Sequence, residues 1–375
     1  MKIPMLDLRG QYLKIKEDID RSIQDVVDSC SFINGPAVNE FEKNLAGYLG
    51  SRYVVGCANG TDALQVAMMA LGLQPGDEVI VPAFTFAATA EVVGLLGLVP
   101  VLVDVDESTF NIKAQDIVNA ISPNTKAIVP VHLFGQAAPM EEIMMIARKH
   151  SLFVIEDNAQ ALGAKYTFAD GTQKFLGTIG HIGCTSFFPT KNLGCYGDGG
   201  AIFTQNSKLA ASIKMVTDHG QKVKYHHDII GCNSRLDSIQ AAILNVKLKH
   251  LDGYSAARYM AARIYKELLK EIKEIVLPSE VPYSNHVYHQ FTIRVAERDK
   301  LREFLASKGI ASMTYYPLSL NKQEAFMPIS AVRVPLENSE KLANEVLSLP
   351  MHTELNLEIQ QEICEAIKEF YKSSF

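Results

Sequence analysis

Between residues 53 and 204 the chain alternates short, wholly apolar segments with stretches of helical period, and this pattern constrains the fold most. The apolar segments are 53–57, 78–81, 99–103, 127–131, 153–156, 184–188 and 200–204; helical patterns at 61–71, 87–96 and 140–149 lie between the earlier ones. A strand that is apolar on both faces has to be covered on both faces, and helices between successive strands supply that cover. The pattern predicts an α/β domain around a mostly parallel sheet. In such sheets ligands bind outside the carboxyl ends of the strands, so the residues that follow each apolar run are where chemistry is to be sought.

The flanks read differently. Tyr12, Ile15, Ile19, Ile23 and Val26 form one helical stripe, and Phe41, Leu45 and Tyr48 form a second, entered at Pro36 and closed by Gly50. Ser234 and Asp237 have the spacing of a capping box, which predicts a long helix from Ser234 with Leu236, Ile239, Ile243, Val246 and His250 on one face. Beyond that the pattern becomes a helix at 256–272, a strand at 289–295, a helix at 300–308 and a last helix from Leu357. The expected division is a large α/β domain over 1–250 and a smaller α+β domain over 251–375.

Charge and composition exclude several classes. A net charge of −6, with no long run of either sign, is unlike the basic surface that nucleic acid requires. The first dozen residues lack the basic-then-apolar layout of a signal peptide, and the longest apolar run, 92–103, is interrupted by two glycines and Pro100. The six cysteines include no Cys-x-x-Cys pair, which argues against a disulfide framework or zinc site and fits a reducing compartment. A cytoplasmic protein bound to neither membrane nor nucleic acid is expected.

Four local features could carry chemistry. In Ser186-Phe-Phe-Pro-Thr-Lys191-Asn-Leu-Gly-Cys-Tyr-Gly-Asp-Gly-Gly200 a lysine follows a strand end and a glycine-rich return leads into the next strand. In Val154-Ile-Glu-Asp157 an apolar strand ends in two carboxylates; Asp157 could cap a helix or face a buried cation. Cys57-Ala-Asn-Gly60-Thr61-Asp62 is a small-residue turn opening a helix, either an ordinary βα turn or a phosphate seat. Phe84-Thr-Phe86 places aromatic rings at another strand end. Singly each has a bland reading: surface lysine, cap, turn, packing ring. In this order they form the layout of a fold-type I pyridoxal-phosphate enzyme. Its lysine binds the cofactor covalently, its aspartate keeps the pyridine nitrogen protonated, a ring stacks on the cofactor, and N–H and hydroxyl donors hold the phosphate.

Over nearly its whole length the chain resembles the DegT/DnrJ/EryC1/StrS family of sugar aminotransferases. The stretches that carry the resemblance include Asn59-Gly-Thr-Asp-Ala-Leu, Pro82-Ala-Phe-Thr-Phe, Pro130-Val-His-Leu-Phe-Gly-Gln, Ser186 to Gly200, and Asn233-Ser-Arg-Leu-Asp-Ser-Ile-Gln. The resemblance implies an aspartate-aminotransferase-like fold. It makes Lys191 the Schiff-base lysine, Asp157 the pyridinium partner, Gln160 a donor to the phenolic oxygen and Phe86 the stacking ring. Gly60, Thr61, Asp62 and Ser186 would hold the phosphate, with Asn233 reaching the same phosphate from the neighbouring subunit of a homodimer. Arg235, Tyr315 and Tyr316 fall near the sugar nucleotide.

The resemblance further implies L-glutamate as donor, pyridoxamine phosphate as the intermediate form of the cofactor, and a role in polysaccharide or lipopolysaccharide precursor synthesis. Similarity is greatest to the branch that aminates a UDP-linked 3-keto-N-acetylhexosamine or its uronate. Uronate-type members have His-Tyr-Pro where this chain has Tyr315-Tyr316-Pro317, so a C6 carboxylate stays open, as does a 4-keto-6-deoxy sugar. A catalytically silent, cofactor-binding regulatory relative is the alternative of another class. A pyridoxamine-dependent dehydratase would have histidine in place of Lys191, and no Gly-x-Gly-x-x-Gly follows a strand as a nicotinamide enzyme would need. No metal is expected: the adjacent His226 and His227 would not share a face, and Asp104-Val-Asp106 reads as a solvated strand end.

Overall fold

The computed structural model describes residues 2–373; Met1, Ser374 and Phe375, the outer ends of the two expected domains, lie outside the described residues. Eight strands form the central sheet, in the spatial order Tyr53–Cys57, Gly200–Thr204, Ile182–Ser186, Phe153–Asp157, Thr125–Ile128, Glu78–Pro82, Val99–Val103 and Ala331–Val332. Every neighbouring pair is parallel except those made by Gly200–Thr204, which runs antiparallel to both its neighbours. Its reversal has a direct cause: it follows Ile182–Ser186 through the glycine-rich return alone, which holds no helix to carry the chain across the sheet for a parallel crossover. Register pairs Asp157 with Cys184, Ser186 with Gly200 and Gly200 with Cys57. The ends of three widely separated strands therefore meet on one edge.

The expected alternation is present, with helices on both sides of a sheet whose strands are buried almost throughout. Several boundaries differ. The strand expected at 184–188 is Ile182–Ser186, because Phe187 leaves the sheet to pack with Phe41, Leu45 and Leu236 in a separate apolar cluster. The first stripe is cut at Ile15 into helices Leu8–Lys14 and Lys16–Ser29, though Ile15 and Ile19 still pack together against Ile243 and Val246. The helix expected from Ser234 starts four residues later, as Ser238–Leu248, and the capping box does not form. Ser234 Oγ accepts instead from the Ala58 N–H at 3.1 Å, tying this segment to the end of the first strand. Asp104 is no solvated strand end: it is buried and accepts from the Ser339 N–H and Oγ, from the Asn338 N–H and from Lys113.

A second core gathers around the three-stranded antiparallel sheet of Ile275–Val276, Phe291–Val295 and Val346–Leu349. Helices Leu251–Leu269, Arg298–Ser307 and Leu357–Ser373 cover it, and Ile3 joins through its bridge to Ile310. The first and last strands of this sheet were not legible as periodic runs. Between helix Arg298–Ser307 and strand Val346–Leu349 the chain returns to the large sheet: Ala331–Val332 pairs with Val99–Val103, and Arg333 forms an ion pair with Glu78. Among the described residues no helix is long and apolar enough to cross a membrane.

Candidate active site

Lys191 lies in the return that begins where strand Ile182–Ser186 ends. Its N–H donates to the Phe188 carbonyl at 2.8 Å, and the Cys195 N–H donates to the Phe187 carbonyl at 2.8 Å, so the loop is folded on itself and not free. Gly194 is required here: a Cβ would lie 2.4 Å from the Pro189 carbonyl oxygen. Helix Ser238–Leu248 clamps the same loop with two side chains seven residues apart. Gln240 accepts from the Tyr196 N–H at 2.8 Å, and the buried Lys247 donates to the Gly194 carbonyl at 2.5 Å. Dehydration pushes the Lys191 amine down to about 8, with the carboxylate of Asp157 pulling it back up. An amine tuned this way is a competent nucleophile near neutrality.

Asp157 is buried at the end of strand Phe153–Asp157. Its Oδ1 accepts from the Ala159 N–H at 3.2 Å and its Oδ2 from the Thr89 hydroxyl at 2.9 Å. Burial raises its pKa above the usual carboxylate range; the Ala159 and Thr89 hydrogen bonds and the nearby Lys191 oppose that rise. A carboxylate so placed, with uncharged direct partners, suits a cationic group brought into the cleft.

Its neighbour Glu156 points to the other face and is saturated. The N–H groups of Gly177, Ile179 and Gly180 donate to it at 2.5–2.8 Å, and His132 Nε2 at 2.9 Å. The Ala138 N–H donates to His132 Nδ1, which leaves the ring hydrogen on Nε2.

Gln160 is buried beside Asp157, accepting from the Phe134 N–H at 2.8 Å and donating to the Tyr316 hydroxyl at 3.1 Å. The Tyr316 ring lies 6.0 Å from the exposed ring of Phe86 and 6.2 Å from Phe84. Gln160, Tyr316 and Phe86 are thus one cluster, and Tyr315 borders it with its ring 5.9 Å from that of Tyr316.

On the far side, Gly60 and Thr61 open helix Gly60–Ala70, and Asn59 caps it by accepting from the Asp62 N–H at 2.8 Å. A Cβ on Gly60 would lie 2.7 Å from Ser186 Cβ, so the helix start and the strand end touch and only glycine allows it. Free N–H groups of a helix start beside a serine hydroxyl form a seat for a phosphate. These features together fit pyridoxal phosphate: an amine, a buried acceptor for a ring N–H, an exposed ring and an anion seat on one sheet edge.

Asn233 stands exposed, its backbone bridged to that of Asp218. Arg235 donates to Asp218 at 3.3 Å. Neither is drawn into the cluster by contacts within this chain. Thr89 and Lys247, which hold Asp157 and the lysine loop, were missed; no local pattern marks either, since each acts on a residue distant in sequence.

The model of the DegT/DnrJ/EryC1/StrS aminotransferase family matches residues 13–368. The chain is 48% identical to a pleiotropic regulatory protein of Geobacillus stearothermophilus, with 99% of each chain covered. It is 45% identical to a UDP-2-acetamido-2-deoxy-3-oxo-D-glucuronate aminotransferase of Pseudomonas aeruginosa, over 97% of this chain and 99% of the relative. Identity is 44% to a UDP-N-acetyl-3-dehydro-alpha-D-glucosamine 3-aminotransferase of Acidithiobacillus ferrooxidans, over 98% and 97%. Among solved structures, an aminotransferase of this family from Brucella abortus superposes with a TM-score of 0.94 at 42% identity, over 98% of this chain and 99% of that one. NtdA of Bacillus subtilis, solved with the cofactor PMP, superposes with a TM-score of 0.89 at 34% identity, over 99% and 85%.

Proposed function

The chain belongs to the DegT/DnrJ/EryC1/StrS aminotransferase family, and from that premise we propose that it transfers an amino group from L-glutamate to a nucleotide-linked keto sugar, with a UDP-linked 3-keto-N-acetylhexosamine or its uronate as acceptor. The observation that carries the reading is the sheet edge where register brings the buried Asp157 carboxylate, the folded loop of Lys191 and the Gly60–Ser186 contact together. The two UDP-sugar aminotransferases at 45% and 44% identity support the acceptor class.

Pyridoxal phosphate, when bound, supplies an aldehyde that carries the amino group and a ring that takes up electrons from the donor's α-carbon. Lys191 Nζ would be the group that holds the cofactor covalently. The same amine would be the base that takes the donor's α-proton and the acid that returns a proton in the half-reaction with the sugar. Asp157 keeps the ring nitrogen protonated. Gln160, with one amide hydrogen left over, would donate to the phenolic oxygen, and Phe86 would supply the stacking ring. The N–H groups of Gly60 and Thr61, with Asp62 and the Ser186 hydroxyl, hold the phosphate. The exposed Asn233 reaches the phosphate of a second copy, which makes the working unit a homodimer. Arg235, Tyr315 and Tyr316 line the sugar-nucleotide side.

The test is the absorption spectrum of the pyridoxal-phosphate-loaded enzyme before and after L-glutamate. Loss of the long-wavelength band is expected, and its return on adding a UDP-linked 3-keto sugar, with GDP- and dTDP-linked 3-keto and 4-keto sugars as the comparison panel. The relative named as a pleiotropic regulatory protein keeps the silent reading alive; a band that glutamate leaves unchanged would favour it.

A further inference from the structure

Thr89 is fully buried in the first turn of helix Ala88–Leu95, and its hydroxyl donates to Asp157 Oδ2 at 2.9 Å across 68 positions of sequence. We propose that Thr89 is a positioning residue that keeps Asp157 ionised and fixes which of its lone pairs faces the ring nitrogen of bound pyridoxal phosphate. This rests on the reading of Asp157 as the ring's partner.

A threonine inside a helix commonly turns its hydroxyl back to a carbonyl of the preceding turn. Here the hydroxyl is spent on a distant carboxylate instead. An ionised carboxylate only accepts, and it has about four lone-pair sites. The Ala159 N–H occupies one on Oδ1 and Thr89 one on Oδ2. With one oxygen tethered by backbone and the other by a side chain of a neighbouring helix, the plane of the carboxylate is set. The lone pairs left over point in a defined direction.

The electrostatic need is equally specific. Burial drives Asp157 toward its neutral form, and a neutral acid cannot hold a protonated ring. Lys191 counters the burial through space, but its charge is lost while its nitrogen is bound to the cofactor. The Thr89 hydroxyl is the side-chain donor that stays in place throughout. Thr89 also belongs to the turn that presents Phe86, since the Thr89 N–H donates to the Phe86 carbonyl at 3.4 Å. One βα turn therefore orients both the stacking ring and the carboxylate's holder.

Thr89→Val removes the donor with little change of shape, and Thr89→Ser keeps it. Dissociation constants would be measured by equilibrium dialysis for pyridoxal phosphate and for its 1-deaza analogue, in which a C–H replaces the ring nitrogen. A hydrogen bond to a charged group predicts that Thr89→Val weakens pyridoxal phosphate about tenfold or more, leaves the analogue within about twofold, and is reversed in Thr89→Ser. Equal losses for both ligands, or no loss, would overturn the proposal. Asp157→Asn separates the two levels. If it discriminates the ligands and Thr89→Val does not, only the role of Thr89 falls. If Asp157→Asn does not discriminate either, the reading of Asp157 falls with it.

Discussion

Glu156 and Asp157 are consecutive carboxylates at the end of one strand, both buried, and they do opposite things. Glu156 faces three backbone N–H groups and a histidine ring, a full set of donors that pins the turn at 177–180 to the sheet. Asp157 faces one backbone N–H, one hydroxyl and the field of a lysine. The lesson is that burial alone does not mark a functional acid; incomplete satisfaction by fixed partners does. The buried Lys247 and the half-buried Lys191 repeat the contrast. Lys247 is held by the Gly194 carbonyl and lies over the Tyr196 ring, while Lys191 is dehydrated near Asp157.

The largest effect expected on the functional side is from Lys191→Ala, which should lower turnover by about a thousandfold or more while far-UV circular dichroism stays unchanged. Substantial residual amine transfer would remove Lys191 from the reaction. The adjacent carboxylates should then part company. Asp157→Asn is expected to cost about a hundredfold or more in the glutamate half-reaction with little change in melting temperature. Glu156→Gln turns an amide N–H₂ toward fixed donors and should destabilise the fold by about 3 kcal/mol, with the surviving enzyme still active. If Glu156→Gln silenced a stable protein, the contrast would be broken.

A smaller effect sharpens the comparison through pH. The Lys191 amine falls from 10.5 in the unfolded chain to about 8 when folded. Between those values the unfolded state binds more protons, so stability of the cofactor-free protein rises with pH across that window. Below about 8 the whole cost of the buried charge is present. Lys191→Met should therefore raise the melting temperature of the cofactor-free protein at pH 7, the opposite sign to Glu156→Gln. An unchanged or lower value would mean that the amine is not strained by burial. The smallest expected effect is that of Asn233→Ala, a several-fold loss of cofactor affinity on the order of 1 kcal/mol, read by dialysis. Unchanged affinity would count against a phosphate shared between subunits.

Much of this molecule could be read in one dimension. The apolar runs that alternate with helices require a covered, mostly parallel sheet, because nothing else buries both faces of each strand. Lys191, Asp157 and Gly60 stand out in the sequence because each follows an apolar run, at the edge where such sheets bind ligands, whereas Ser186 is marked only by the resemblance. The strand Val346–Leu349 and the late start of helix Ser238–Leu248 were not, because pairing with Phe291–Val295 and the Ser234 contact to Ala58 set them. Only the tertiary structure gave Glu156 its saturating donors, tied Lys247 to the Gly194 carbonyl and set Thr89 apart from the other threonines. Sequence period tells which face a side chain takes, whereas the partners that decide whether a buried charge is satisfied come from segments folded against it from elsewhere in the chain.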